Sequence, residues 1–191
     1  MKIILASTSV YRRELLGRLG LEFECLAPEV DESMFSELPL APADLASRLA
    51  QEKARAVAAN RPEAIVIGAD QVVELAGKTL GKPGDQEKAR QQLRMLAGKT
   101  HCLHTAVTVW MAGAEYSLIN ETRLRMRPLD DGEIYRYVTL DDPIHCAGSY
   151  MVERAGISLF DEVETSDFTS ITGLPLLGLS GVLRSLGVAI P

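Results

Sequence analysis

Short apolar runs alternate along the chain with segments whose apolar residues have helical spacing. Residues 2–6 and 64–68 are continuous apolar runs, which are typical of strands covered on both faces. The predicted strands span residues 2–6, 21–27, 64–68, 100–111, 115–126 and 157–163, with an extended continuation over 71–75, a loop over 28–41 and a loop and strand over 143–150. The predicted helices span residues 9–19, 42–60, 85–96, 128–140 and 174–187. This alternation predicts an α/β fold in which a mixed twisted sheet is flanked by helices.

The length of the chain, 191 residues, suits one domain or two small lobes on a shared core, and we expect a single domain over residues 1–191. Its 47% hydrophobic and 24% charged residues are ordinary for a globular protein, which excludes disorder and fibrous repeats. The apolar runs fall short of the roughly 20 residues that a membrane span needs. We therefore expect no membrane partner.

The net charge and the cysteine content limit the classes of partner and the cellular compartment that we expect. The formal charge of −6, from 26 acidic and 20 basic residues, argues against a nucleic acid polymer as partner, although a local cluster of cations could hold a small anion. Cys25, Cys102 and Cys146 follow neither a disulfide framework nor a zinc motif. Because the apolar stretch after Met1 is too short for a signal peptide, we expect reduced thiols and a cytoplasmic location.

A polar turn and two arginines follow the first predicted strand, in the segment Ser7-Thr8-Ser9-Val10-Tyr11-Arg12-Arg13. Helix N-termini carry free N–H groups and a partial positive charge, so arginines in a first turn cost stability unless an anion or an acid balances them. Guanidinium groups also suit phosphate oxygens. The segment fits a phosphate site and a solvated basic turn capped by Ser9 equally well.

Carboxylates and lysines occupy other turn-like positions. Asp70 closely follows the apolar run 64–68, so we expect it at the carboxyl end of a strand, where α/β sheets bind ligands. Glu32 lies in an acidic loop, Lys53 in a long predicted helix and Lys82 in a Gly-Lys-Pro loop. Taken singly, such residues are more often a turn acid, a solvated loop and surface lysines. Together they suggest a site for a divalent cation and a polyphosphate.

Seven motifs, in order over nearly the whole chain, resemble those of the Maf-like nucleotide pyrophosphatases. They are Ser7–Leu16, Pro28–Glu32, Gln51–Ala54, Gly68–Asp70, Gly81–Pro83, Ala147–Tyr150 and Gly173–Leu176. The resemblance implies a mixed α/β fold like that of inosine triphosphatases, with two lobes around a nucleotide-binding cleft. It also implies an enzyme that hydrolyses nucleoside triphosphates to monophosphates and pyrophosphate with a divalent cation, Mg²⁺, Mn²⁺ or Co²⁺.

The resemblance also implies roles for single residues. Asp70 corresponds to the general base, and Glu32 and Asp70 correspond to the residues that hold the cation. The residues that correspond to phosphate-binding positions are Ser7, Arg12, Arg13, Lys53 and Lys82. This set is chemically coherent, because the cations offset the triphosphate charge and a carboxylate can take a proton from attacking water.

Three further residues bear on the base of the nucleotide. Tyr11, Gln71 and Glu153, with the segment 144–149, resemble the branch of the family that acts on 7-methyl-GTP. An aromatic face such as Tyr11 can stack on the cationic base, and Glu153 can accept from its N–H groups, although the two could also be a packing residue and a surface charge. The alternatives are a dTTP and UTP pyrophosphatase and a nucleotide-binding regulator of septum formation. We expect a nucleotide as the small-molecule partner, and a homodimer.

Overall fold

A computed structural model describes residues 1–36 and 38–191 of the chain. Its strands are β1 (Ile3–Ala6), β2 (Glu24–Leu26), β3 (Ile65–Leu75), β4 (Lys78–Leu80), β5 (Thr100–Met111), β6 (Ala114–Met126) and β7 (Phe160–Thr165). Within the described residues these seven strands form one mixed sheet in the order β2-β1-β3-β5-β6-β7, with β4 paired to β3. The predicted α/β class with a mixed sheet is confirmed.

The helices are α1 (Val10–Gly17), α2 (Ser33–Ser36), α3 (Pro42–Ala58), α4 (Gln86–Leu96), α5 (Asp131–Asp141) and α6 (Leu176–Ser185), with short 3-10 helices over Ala147–Ser149, Ala155–Leu159 and Phe168–Thr172. Two helices, α1 and α4, begin directly after Ser9 and Asp85, the capping residues that the sequence predicts. Ser9 and Asp85 cap α1 and α4 with their side chains, and Asp130 and Glu133 form a capping box at the start of α5. Among the residues described, no helix is both long enough and apolar enough to cross a bilayer.

The register of the parallel strands shows where β3 extends beyond its neighbour β1. β1 pairs in parallel with β2 and with β3, and its last residue, Ala6, lies opposite Gly68. β3 continues to Leu75 and pairs antiparallel with β4 near its end. Asp70 therefore lies two residues beyond the last pair between β1 and β3.

The prediction that Asp70 follows the end of a strand is wrong. A strand was expected over 64–68, with an extended continuation over 71–75, but one strand, β3, runs from Ile65 through Asp70 to its end. β3 also neighbours β5 in the sheet. Its last three residues pair with β4, a strand not predicted from the sequence. Ala76 and Gly77 form the turn between them with φ values of 51° and 79°, as a type I′ hairpin turn requires.

Three other predictions differ from the structure for local reasons. The strand expected over 21–27 is shorter, because its partner β1 has only four residues with which to pair. The loop expected over 28–41 contains α2, and Glu37 in it lies outside the described residues. The described residues 143–150 contain no strand, since Ser149 has a left-handed φ of 63°.

The chain forms two compact units, and the first unit has an aliphatic core. The first unit comprises Met1–Gln71, Thr105–Asn120 and Asp167–Pro191. Buried side chains of β1, α1, β3, β5 and α6 pack together there, among them Leu5, Leu16, Ile67, Val107 and Leu179. Removing this apolar surface from water supplies the main driving force for folding the unit.

Gly68 allows α3 to lie very close to β3 in the first unit. A Cβ atom at this position would overlap the backbone oxygen of Ala50 and the backbone nitrogen of Ala54 on α3. The buried face of α3 consists largely of alanines, so the helix backbone itself meets the strand. Lys53 lies on this face next to Ala54, which brings its side chain to Asp70 on the same side of β3.

The second unit comprises Val72–His104 and Glu121–Ser166 and contains a buried aromatic cluster. His101 packs against Tyr150 and Phe160, and its Nε2 lies 2.8 Å from the hydroxyl oxygen of Tyr150. Burial lowers the pKa of His101 to about 4, so the imidazole is neutral at neutral pH. β7 begins at Phe160, three residues later than predicted, because the residues before it form a 3-10 helix.

Substituting Gly68→Ala should destabilise the protein by about 3 kcal/mol, because α3 must move away from β3. Gly17→Ala is the matched control. Its Cβ would meet open space at the end of α1, so we expect no loss of stability or a gain of up to about 1 kcal/mol. Urea unfolding measures both variants, and equal stabilities would contradict the close packing of α3 on β3.

Candidate functional site

A lysine ammonium joins two carboxylates in the first unit. Lys53 Nζ on α3 lies 2.5 Å from Asp70 Oδ1 on β3 and 2.6 Å from Glu32 Oε1 in the segment after β2. Lys53 and Asp70 are buried, with 8% and 7% of their surface exposed, whereas Glu32 is exposed. These three side chains form a charge cluster, in which each buried charge is compensated by an opposite one.

Opposing effects act on the ionisation of Asp70. Burial is the largest effect and raises the pKa of its carboxyl group, whereas the positive charges of Lys53 and Arg12 lower it and the negative charge of Glu32 raises it. The balance leaves the pKa of Asp70 above its ordinary value. Asp70 is therefore a stronger base than an exposed aspartate.

Arg12, in the first turn of α1, places a second cation near the charge cluster. Its Nε donates to the carbonyl oxygen of Gly173 at 3.0 Å. Burial lowers the pKa of the Arg12 guanidinium, and the charges of Asp70 and Glu32 oppose that change. Since the first turn of α1 carries no acidic residue, the acids that balance this arginine come from β3 and from the segment after β2.

Ser7 and Tyr11 flank the start of α1. Ser7 is buried directly after β1, and its Oγ accepts from the backbone N–H of Ser9 at 3.2 Å. Tyr11 is half-buried on the first turn of α1. The turn predicted from the sequence is thus held together by its own hydroxyl groups.

Arg13 lies on a different face of α1 from Arg12. It is exposed and lines a surface pocket with Val10, Glu14 and Gly17, which occupy one helix face at helical spacing. The structure therefore brings only the first of the two predicted arginines to the charge cluster.

Gln71 directs its side chain to the opposite side of β3 from Asp70. Its Nε2 lies 2.9 Å from Thr105 Oγ1, 2.9 Å from the backbone oxygen of Ser170 and 3.1 Å from that of Ile171. Carbonyl oxygens can only accept, so these contacts fix the orientation of the amide. The acceptor Oε1 is the atom that Gln71 can offer to an N–H group of a ligand.

The segment Asp167–Gly173, here the support segment, supplies the backbone oxygens that hold the arginine and the glutamine just described. The buried carboxylate of Asp167 accepts from the hydroxyl of Thr169 at 2.6 Å and from the backbone N–H of Leu177 in α6 at 2.7 Å. The sequence analysis missed this role. The available signal is an aspartate followed by Thr169 and Ser170, a pattern typical of capping turns ahead of a helix.

Lys82 and Glu153 belong to the second unit, and both are exposed there. Both act on the thiol of Cys146: burial is the main cause that raises its pKa, Glu153 raises it further and Lys82 lowers it. The two predicted residues thus lie within electrostatic reach of one thiol. All three cysteines of the chain are free, as the sequence predicted.

The carboxylate oxygens of the charge cluster are suitable ligands for a divalent cation. Within residues 1–36 and 38–191, no group of three or more His, Cys, Asp or Glu side chains is placed to hold a metal ion. Glu32 and Asp70 nevertheless converge on one point, since both contact the same ammonium. Mg²⁺ usually takes only one or two carboxylates from a protein and its other ligands from phosphates and water.

The chain is similar to known proteins along nearly its whole length. The family model described as Maf-like protein matches residues 2–186. A 7-methyl-GTP pyrophosphatase from Xanthomonas axonopodis pv. citri is 47% identical over 190 residues, which are 100% of this chain and 99% of that protein. A nucleoside triphosphate pyrophosphatase from Acinetobacter baylyi is 44% identical over 194 residues, 99% of this chain and 97% of that protein.

Among solved structures, a HAM1 protein from Coxiella burnetii aligns over 97% of this chain and 99% of its own, with 15% identity and a TM-score of 0.48. That likeness is too distant to bear on the fold or the function.

The Asp70→Asn variant should keep its free energy of unfolding at pH 7 within about 1 kcal/mol of the wild type. The folded-state pKa of Asp70 lies above its ordinary value, so the folded protein disfavours the ionised carboxyl at neutral pH, and asparagine removes that cost. Lys53 keeps Glu32 as its partner.

The double variant Asp70→Asn, Glu32→Gln should instead lose about 3–5 kcal/mol, because the buried ammonium of Lys53 then loses both carboxylates. Urea unfolding of the two single variants and the double variant measures this coupling. A loss of this size in Asp70→Asn alone would contradict the charge cluster as described.

Proposed function

The chain belongs to the Maf-like protein family, and on this basis we propose that it is a nucleoside triphosphate pyrophosphatase. The proposed substrate is 7-methyl-GTP, hydrolysed to 7-methyl-GMP and pyrophosphate, in line with the name of the Xanthomonas relative. The observation that carries the proposal is the charge cluster. It combines two carboxylates, suited to a cation, with Lys53, and Arg12 nearby adds a second cation suited to phosphates.

Asp70 is the proposed general base. Hydrolysis adds water across the anhydride between the α- and β-phosphates: the water oxygen bonds to phosphorus, the bridging P–O bond breaks, and Asp70 accepts the proton that the water loses. In the protein without a cation, burial raises the pKa of Asp70, which makes its carboxylate a stronger base. A positioned base of this kind contributes about 10²–10⁴-fold to the rate.

Glu32 and Asp70 are proposed to hold the divalent cation, for which Mg²⁺, Mn²⁺ and Co²⁺ all accept oxygen ligands. When bound, the cation neutralises phosphate charge and polarises a phosphoryl oxygen. Arg12 can offer a planar pair of donors to phosphate, and Lys53 a point charge. The helices α1 and α3 already carry Arg12 and Lys53 at this place, so binding has to order only the ends of their side chains.

Ser7, Arg13 and Lys82 are proposed as further phosphate-binding residues on the strength of the family resemblance. Ser7 follows β1 directly and lies next to the capped start of α1, where backbone N–H groups favour anions. The homodimer and the cytoplasmic location expected from the sequence also stay predictions.

Tyr11, Gln71 and Glu153 are the proposed base-reading residues. N7-methylation makes guanine cationic, which favours an aromatic face and a carboxylate near the base. Gln71 can contribute only an acceptor, Oε1, because its amide nitrogen is bound within the protein. Guanine presents N–H donors on the edge opposite its N7 methyl group, so an acceptor complements that edge.

The direct test is pyrophosphate release from 7-methyl-GTP, GTP, UTP and dTTP, each with Mg²⁺ and with EDTA. We expect Mg²⁺-dependent release, fastest with 7-methyl-GTP. The Asp70→Asn variant should release pyrophosphate about 10²–10⁴-fold more slowly. Asp44→Asn, an exposed aspartate at the start of α3, is the control and should keep the wild-type rate.

The other outcomes separate the alternatives. Fastest release with UTP or dTTP would retain the pyrophosphatase activity and contradict the proposed substrate. Nucleotide binding without release from any triphosphate would contradict the enzyme and favour a regulator of septum formation.

Tyr11→Ala should raise the KM for 7-methyl-GTP about tenfold and the KM for UTP less than about threefold, because only the methylated base carries a positive charge. Tyr11→Phe keeps the aromatic face and should retain the KM of the wild type. Steady-state kinetics with both substrates measures the difference. Equal losses on the two substrates in Tyr11→Ala would show that Tyr11 packs the helix instead.

A further inference from the structure

The ammonium of Lys53 occupies the two carboxylate oxygens that the divalent cation would need. Nζ lies 2.5 Å from Asp70 Oδ1 and 2.6 Å from Glu32 Oε1. A cation such as Mg²⁺ binds carboxylate oxygens at about 2.0–2.1 Å, so a cation that joined the two carboxylates would take the position of Nζ. Resting on the proposed function, we propose that Lys53 competes with the cation for these carboxylates and releases them when a triphosphate binds.

In the protein without nucleotide, the balance of charge favours Lys53 over the divalent cation as the partner of the two carboxylates. The two carboxylates of the charge cluster are matched by two cations, Lys53 and Arg12. A divalent cation that entered alone would add two positive charges where the charges already balance and where Lys53 and Asp70 are buried. It would also displace the ammonium without supplying an anion to receive it, so its affinity is low.

A nucleoside triphosphate removes this obstacle, because its oxygens can receive the ammonium. Lys53 has a flexible four-carbon stem, so Nζ can move to a phosphate while α3 stays packed over Gly68 on β3. The carboxylates then accept the cation, and the phosphates supply further ligands to it. Cation and triphosphate therefore bind cooperatively, and each raises the affinity of the other by the same factor, at least about tenfold.

The test measures binding and does not depend on turnover. Electron paramagnetic resonance follows free Mn²⁺ in titrations of the full chain, with and without the α,β-methylene analogue of 7-methyl-GTP, whose α–β bridge cannot be hydrolysed. The Mn²⁺ that the analogue chelates in solution is measured without protein and subtracted. The wild type saturated with analogue should then bind Mn²⁺ at least about tenfold more tightly than the wild type alone. Equal affinity for Mn²⁺ with and without bound analogue would overturn the inference.

Lys53→Met removes the competing charge and keeps a side chain of similar length. We expect it to bind Mn²⁺ alone at least about tenfold more tightly than the wild type and to gain less Mn²⁺ affinity from the bound analogue than the wild type does. Lys53→Gln, which can still donate to Asp70 but carries no charge, is the second variant should the first not fold. Lys88→Met is the matched control with wild-type values, since Lys88 is an exposed lysine paired with Asp85 on α4.

Two readouts keep this inference apart from the proposed function. A folded Lys53→Met variant that binds Mn²⁺ alone no more tightly than the wild type would overturn the inference, because Lys53 then does not compete with the cation. Pyrophosphate release is measured on the same wild-type samples. Release without cooperativity overturns this inference alone, whereas no release from any triphosphate overturns the proposed function and the inference with it.

Discussion

The contact between the ammonium of Lys53 and the carboxylate of Asp70 is the interaction on which the rest of the site depends. A carboxyl group in the middle of a buried strand favours its neutral form, and a cation at hydrogen-bond distance opposes that preference. The same ammonium draws in Glu32 from an exposed segment. This arrangement requires α3 to lie directly on β3, which the missing side chain of Gly68 permits.

Backbone oxygens from a distant part of the chain hold the other polar groups of the first unit. Arg12 donates to a residue 161 positions away, and Gln71 to one 99 positions away, both in the support segment. Asp167 fixes that segment to the start of α6. Because β1, β3 and α6 must all be in place before these contacts form, the site is assembled only in the folded unit. Packing energy is thereby used to orient polar groups before a ligand arrives.

The sequence predicted those features that depend on local patterns. Long periodic segments such as α3 and α4, and caps such as Ser9 and Asp85, follow from spacing and from side chains that compete for free backbone N–H groups. Asp70 was misplaced because its strand is longer than its apolar run. That strand neighbours β5 and pairs with β4 at its end, and pairing with other strands outweighs local propensity.

The residue types of the candidate site could be predicted from the sequence, but the contacts between them could not. Asp70, Glu32 and Lys53 were expected near phosphate and a cation, but their direct contact depends on how closely α3 packs. The amide contacts of Gln71 were beyond sequence reasoning, since their partners come from other strands and from the support segment. The different faces taken by Arg12 and Arg13 depend on the helix register and on Gly173.

The most direct test of this account is a crystal structure of the chain with Mn²⁺ and the α,β-methylene analogue of 7-methyl-GTP, with the metal located by its anomalous scattering. The account predicts Mn²⁺ bound to oxygens of both Asp70 and Glu32, with Lys53 Nζ moved from between them to a phosphate oxygen. Mn²⁺ bound elsewhere, with Lys53 still joining the two carboxylates, would contradict it.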